Sequence, residues 1–237
     1  MIPIRDLNPT RSTPWVTWTI LLLCGLVFLW QATLPDAVAE AFIDAYGLVP
    51  RRIVYGQDPT ALVTVLTSMF MHGGFMHVAG NLWFLRMFGD NVEDNMGPAR
   101  FAVFYVLCGV AAAAAQVWMN PASPMPMVGA SGAIAGVLAA YLVLYPTARV
   151  VALVPIFIFL QFMEIPAFIF IAIWFALQFM SGVGSLGSHA GGVAYWAHIG
   201  GFVAGLVLVF AFRTPRARAP RVPFARRRVA PWRPGEW

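Results

Sequence analysis

Lysine is absent from the 237 residues; all fifteen basic side chains are arginine. Charge of either sign is scarce, at 11% of residues, against 60% hydrophobic residues and a mean hydropathy of +0.74. So little charge excludes a soluble globular domain and is the composition of a polytopic membrane protein. Eight of the arginines lie between Arg213 and Arg233, so the net charge of +5 comes mostly from one tail. A nucleic-acid partner is therefore a poor inference. A basic tail after the last span reads instead as a cytoplasmic anchor on anionic lipid, and arginine without lysine fits a GC-rich, bacterial source. The two cysteines, Cys24 and Cys108, sit inside apolar segments and make no disulfide framework. There is no H-E-x-x-H, His72 and His77 are not spaced i, i+4, and no acid accompanies them, which argues against zinc or any other metal site.

Six segments are apolar and long enough to be read as membrane spans. The first runs from Trp15 to Leu34, with Trp15, Trp18 and Trp30 as interfacial anchors. A cleaved signal peptide competes with this reading, because Ala37-Val38-Ala39 has the form of a cleavage site; Pro35, Asp36 and a weakly basic start weigh against it. Leu34 to Thr60 carries Asp36, Glu40, Asp44, Arg51, Arg52 and Asp58 and reads as a long interfacial loop. Ala61 to Met71 is apolar, but as a helix it rises only about 16 Å, so it reads as re-entrant or interfacial. The second span starts near Phe75 and ends around Gly89 to Val92; Phe101 to Met119 is the third and Ser131 to Tyr145 the fourth. The fourth reaches about 22 Å, so one of its ends lies below the membrane surface. Val150 to Met163 is a second sub-length stretch, interrupted by Pro155, and Glu164-Ile165-Pro166 reads as the helix start of a fifth span ending near Met180. Ser181 to Ala194 is a chargeless Gly/Ser loop containing His189, and Tyr195 to Phe212 is the sixth span. The expected fold is thus an all-α polytopic bundle of six transmembrane helices. Residues 1–14 form a cytoplasmic N-terminal segment, 15–212 the membrane domain, and 213–237 an Arg/Pro tail without apolar periodicity, read as disordered.

Arginine bias orients this bundle. The tail, Arg149, the Arg86/Arg100 connection and the N-terminal Arg5 and Arg11 all fall on the cytoplasmic side of a six-span arrangement. Spans two, four and six then each begin on the outer side, and their starts carry His77 with Asn81, Ser131, and His198. Making both sub-length stretches into spans would put Ser131 and His198 at opposite faces.

Ser131 lies in Gly129-Ala130-Ser131-Gly132 at a helix start, where unpaired N–H groups and a positive dipole end favour a developing oxyanion. His198, Gly201 and Gly205 follow i, i+3, i+7, which sets a histidine above a glycine stripe. Facing the small residues of span four, that stripe allows an approach close enough for a Ser131–His198 hydrogen bond. The plain alternative is glycine packing, with His198 as interhelical glue. His77 and Asn81, at i, i+4, can aim an imidazole and an amide at the same oxyanion, or simply bond another helix. His72 reads as a loop-holding residue. No acid flanks His198, so a Ser–His dyad is expected rather than a triad, with the imidazole oriented by packing.

These residues resemble the rhomboid family of intramembrane serine proteases. The matching pieces are His72-(x4)-His77-(x3)-Asn81, Gly129-Ala130-Ser131-Gly132, and Ala197-His198-Ile199-Gly200-Gly201 with Gly205; Glu93 and Gly97 also fit, and the likeness covers about Leu62 to Phe210. The resemblance implies a six-helix core with Ser131 as nucleophile and His198 as general base. It also implies an oxyanion hole of His77, Asn81 and backbone N–H groups near Ser131, in a loop shaped by Gly129. Implied substrates are single-span membrane proteins, cut in or near the outer part of the transmembrane segment at small residues; no cofactor is expected. Two departures stand out. Gln57 to Thr67 lacks the Trp-Arg pair that some relatives carry there, and Ala135 replaces an aromatic that in some relatives stacks on the histidine. A catalytically inactive relative that captures membrane helices is the competing function. A transporter is a third, for which the sequence offers no internal repeat.

Overall fold

A backbone surrounded by hydrocarbon has to satisfy its own N–H and C=O groups, so long apolar stretches of such a chain fold as helices. The computed structural model describes residues 2–57, 59–156, 159–185 and 193–214. In chain order these form β1 (Ile2–Asp6), α1 (Trp15–Gln31), α2 (Asp36–Tyr46) and α3 (Pro50–Tyr55). A 3₁₀ turn (Pro59–Val63), α4 (Thr64–Thr67) and a second 3₁₀ turn (Ser68–Phe70) lead into α5 (Phe75–Met96) and α6 (Pro98–Met119). Then come α7 (Ser131–Leu144), β2 (Arg149–Ile156), β3 (Phe159–Pro166), α8 (Ala167–Gly184) and α9 (Tyr195–Phe212).

Among the described residues α6, α8 and α9 are long and apolar enough to cross a membrane, and α5 joins them when taken with residues 59–70, from which it is bent by 77°. α1 and α7 are apolar but shorter. Leu22 and Leu29 on α1, Trp118 on α6, Leu177 on α8, and Val207 and Phe210 on α9 are each more than half exposed. That much large apolar surface suits lipid rather than water. The core lies where α9 packs on α6 and α7, with Phe88, Tyr141 and Phe170 meeting at ring separations of 5.0 and 6.1 Å about Phe88.

The all-α expectation needs correcting. β1, β2 and β3 make an antiparallel sheet in that order, with Ile2 opposite Leu153, Asp6 opposite Val150, and Arg149 opposite Pro166. The apolar stretch after α7 is therefore built of two antiparallel strands rather than helix. Val150, Val151, Val154 and Ile165 favour this through their β-branched side chains, and the N-terminal segment supplies the third strand. Glu164-Ile165-Pro166, expected to start a helix, ends β3; Pro166 is the N-cap and α8 begins at Ala167. The loop after α1 is built of α2 and α3. Most of the arginine tail (215–237) and residues 186–192, with His189, lie outside the described residues.

Two polar clusters tie the end of the bundle that carries the sheet. Glu93, buried in α5, accepts hydrogen bonds from the backbone N–H groups of Val16 and Thr17 at 2.9 and 2.7 Å and from the Thr17 hydroxyl at 2.8 Å. A carboxylate on the free N–H groups of α1 satisfies donors that the helix itself cannot. Asp6 accepts from the Asn8 N–H and from the Asn91 side chain, each at 2.9 Å. Burial pushes the Asp6 carboxyl up from its ordinary 3.8 to about 6, with the negative charge of Asp90 adding to the rise.

This shift has a direct consequence for stability. The folded state holds the Asp6 proton more tightly than the unfolded chain, so stability falls as pH rises from about 4 to 6, and the deficit of roughly 1–3 kcal/mol persists above that range. Thermal unfolding in detergent between pH 4 and 7 should show this slope, and Asp6→Asn should flatten it.

Candidate active site

The starts of α5, α7 and α9 share the end of the bundle opposite the sheet, and every residue singled out for chemistry lies there. Ser131 opens α7. The loop before it is pinned from both sides: Leu48 and Met127 exchange backbone hydrogen bonds of 3.0 and 2.7 Å, Arg51 N donates to Ser123 O at 3.1 Å, and Gly129 N donates to Ser68 O at 2.8 Å. The first N–H groups of α7 have no intrahelical acceptor, and the residue before Ser131 supplies no side-chain cap.

His198 Nε2 lies 2.7 Å from Ser131 Oγ. The approach depends on glycine. A Cβ at Gly201 would collide with the Gly132 carbonyl oxygen, and one at Gly205 with Gly136, where it would come 2.6 Å from that residue's Cα. α7 and α9 thus meet backbone to backbone, directly below the serine and the histidine.

Gly129 has a φ of +127°, a conformation L side chains rarely adopt, and a Cβ there would lie 2.7 Å from His77 Nε2 and 3.6 Å from Asn81 Nδ2. The loop backbone therefore passes against both side chains that the sequence assigned to the oxyanion. Asn81 Nδ2 is buried without a hydrogen-bond partner, a donor free to meet a ligand atom. A cavity of about 1810 Å³ opens onto Ser131, His198, His77 and Asn81. His72 stays structural: its backbone N–H and C=O pair with the Gln31 amide at 3.3 and 3.4 Å, and its ring meets that of His77 edge-on at 5.2 Å.

Sequence reasoning missed two residues. Ala135 is buried and offers His198 no ring, and α8 supplies the contacts instead. The Trp174 ring lies 6.0 Å from the imidazole, inclined by 37°, and Gln178 Oε1 is 2.6 Å from His198 Nδ1. The imidazole is thus bonded at both nitrogens, not held by packing alone. A signal was available: Gln178 is the one strongly polar side chain between Ala167 and Met180, and a polar group inside a span is functional or interhelical by default. Among the described residues no three His, Cys, Asp or Glu side chains are grouped to hold a metal.

The family profile described as the Rhomboid domain matches residues 59–215, well over half of the chain. The chain belongs to the rhomboid family. It is 26% identical to the mitochondrial Rhomboid protein 1 of Saccharomyces cerevisiae over 183 residues, which cover 76% of this chain and 47% of that protein. It is 31% identical to the rhomboid protease GluP of Bacillus subtilis over 173 residues, 70% of this chain and 30% of that one. It is also 33% identical to Inactive rhomboid protein 1 of Drosophila melanogaster over 88 residues, 37% of this chain and 6% of that protein. The chain spans about half or less of the length of these relatives. Rhomboid membership fixes the protein as a helical membrane protein, and the family includes both proteases and inactive members.

The glycine contact yields a test. Gly201→Ala should lower thermal stability by roughly 1–3 kcal/mol through overpacking. Gly25→Ala on α1, where a Cβ would meet nothing within 4 Å, should be neutral or slightly stabilising. Parallel melting curves of the two variants check this.

Proposed function

We propose that this rhomboid protein is an intramembrane serine endopeptidase working through a Ser131–His198 dyad. The observation that carries the reading is the 2.7 Å separation of Ser131 Oγ and His198 Nε2 between two apolar helices, where a histidine is costly to keep. His198 Nε2 takes the Ser131 hydroxyl proton as Oγ bonds to a substrate carbonyl carbon, and the carbonyl electron pair moves onto its oxygen. Asn81, His77 and the N–H groups at the start of α7, in the loop that Gly129 shapes, would donate to that oxyanion. Collapse expels the amine, which leaves with the proton from Nε2. Water then hydrolyses the acyl-enzyme, with His198 as base, releasing a carboxylic acid and restoring Ser131.

The substrates we infer are single-span membrane proteins, cut in or near the outer part of the transmembrane segment with small residues favoured at the cut. The bundle is proposed to have six spans over residues 15–212. α1 and α7 would be two of them, α5 with its bent approach a third, and α6, α8 and α9 the rest. Its N-terminal segment and arginine tail would be cytoplasmic, with the tail against anionic lipid of a bacterial membrane. Capture of membrane helices without cleavage, as an inactive member, is the competing reading; the presence of both Ser131 and His198 in hydrogen-bond contact favours catalysis.

Co-expression with tagged single-span proteins tests it. Ser131→Ala and His198→Ala should each reduce cleavage by at least about a thousandfold while leaving the protein folded. Persistent cleavage in either variant would sink the dyad.

A further inference from the structure

We infer that Gln178 is the positioning residue of the dyad, an amide that fixes which nitrogen of His198 carries the proton; this rests on the proposed proteolytic reading. A neutral imidazole has one N–H and one lone pair, and only the form with the lone pair at Nε2 can accept the Ser131 proton. Gln178 Oε1 is an acceptor 2.6 Å from Nδ1, so it selects the form with the proton on Nδ1 and leaves Nε2 free to face Ser131 Oγ at 2.7 Å. His198 is 8% exposed, so an Nδ1–H left without this acceptor would be a nearly buried, unpaired donor. The ring would then gain by moving its proton to Nε2, where it could donate to the serine but not deprotonate it.

Among the described residues His198 Nδ1 has no other hydrogen-bond partner. α7 gives Ser131 to the other nitrogen, while Trp174 on α8 and Tyr195 on α9 reach the ring at centroid distances of 6.0 and 6.5 Å. These are ring contacts, not acceptors for Nδ1–H. Gln178 therefore occupies the orienting position that an acid fills in a triad, but without a charge to desolvate in the membrane. An amide holds the tautomer as a carboxylate does, yet it stabilises the imidazolium that forms during the reaction far less.

Gln178 also sits on the most weakly held of the long helices. α8 buries only Ala167, Phe170, Ile171 and Gly182, whereas α7 buries all but a few of its residues. The Gln178–His198 hydrogen bond forms only while that part of α8 lies against α9.

Three substitutions separate this from a packing role. Gln178→Met keeps the length and apolar bulk but has no comparable acceptor; Gln178→Leu is shorter and apolar; Gln178→Glu keeps the acceptor and adds a charge. The rate of Ser131 labelling by a fluorophosphonate probe should fall about 10- to 100-fold in Met and Leu and be largely recovered in Glu, with kcat on a reporter falling and KM steady. Packing alone would predict the opposite order, with Met tolerated and Glu not. The proton is read directly by 15N NMR of histidine-labelled protein in the Ser131→Ala background. Nδ1 of His198 should be protonated with Gln178 present and lose that preference in Gln178→Met. Protonation at Nε2 with Gln178 present, or labelling unchanged in Met and Leu, overturns the assignment. Because the NMR readout needs no cleavage, a wild-type protein that is neither labelled nor proteolytic but keeps Nδ1 protonated would refute the protease alone.

Discussion

The site depends on one constraint: α7 and α9 have to touch through their backbones. Ser131 and His198 are separated by 67 residues, and a serine hydroxyl bonds an imidazole across two helices only if those helices come closer than ordinary side chains allow. Gly201 and Gly205 on one helix and Gly132 and Gly136 on the other remove the side chains that would hold them apart. In a bilayer this is also how helices associate at all, since the hydrophobic effect does not favour protein–protein over protein–lipid contact there. The packing that holds the fold together and the alignment of Ser131 with His198 are one contact.

Around that contact the chain fixes the rest from outside the bundle's centre. Hydrogen bonds from the first loop and the short segment before α5 hold the strand-like approach to Ser131, so the serine is set by backbone rather than by its neighbours' side chains. At the other end Glu93 gathers the start of α1, and Asp6 and Asn91 hold the N-terminal strand beside α5. Polar groups buried with partners cost little; they confine α1 and the sheet to one end and leave the opposite end for a cavity.

The residues of the proposed dyad and oxyanion donors were legible in the sequence because each is a polar group at a span start. Span length and arginine bias put those starts at one depth without any knowledge of the chemistry. The sheet was not legible. Val150 to Ile156 is an apolar run short enough to be helix or strand, and periodicity cannot separate the two at that length. Its partner β1 is about 150 residues away, so nothing local announces the pairing. Gln178 escaped for a related reason. Its polarity was visible, but which way α8 turns it depends on how α8 is rotated against α9, and an apolar span carries almost no phase information. α8 has lipid-like residues on nearly every side, so the sequence does not mark its buried face.

The division of labour between helices then follows from how firmly each is held. The proposed nucleophile and base sit on α7 and α9, where shifting either by an ångström would break backbone contacts along both. The proposed orienting group, Gln178, sits on α8, most of whose side chains are not buried within the protein. Holding the tautomer with a neutral amide on such a helix costs less than burying a carboxylate beside an imidazole, because no charge is taken out of water. Under the proposed reading a neutral amide orients the base, and His198 is held at both nitrogens with no acidic residue bonded to it among the described residues.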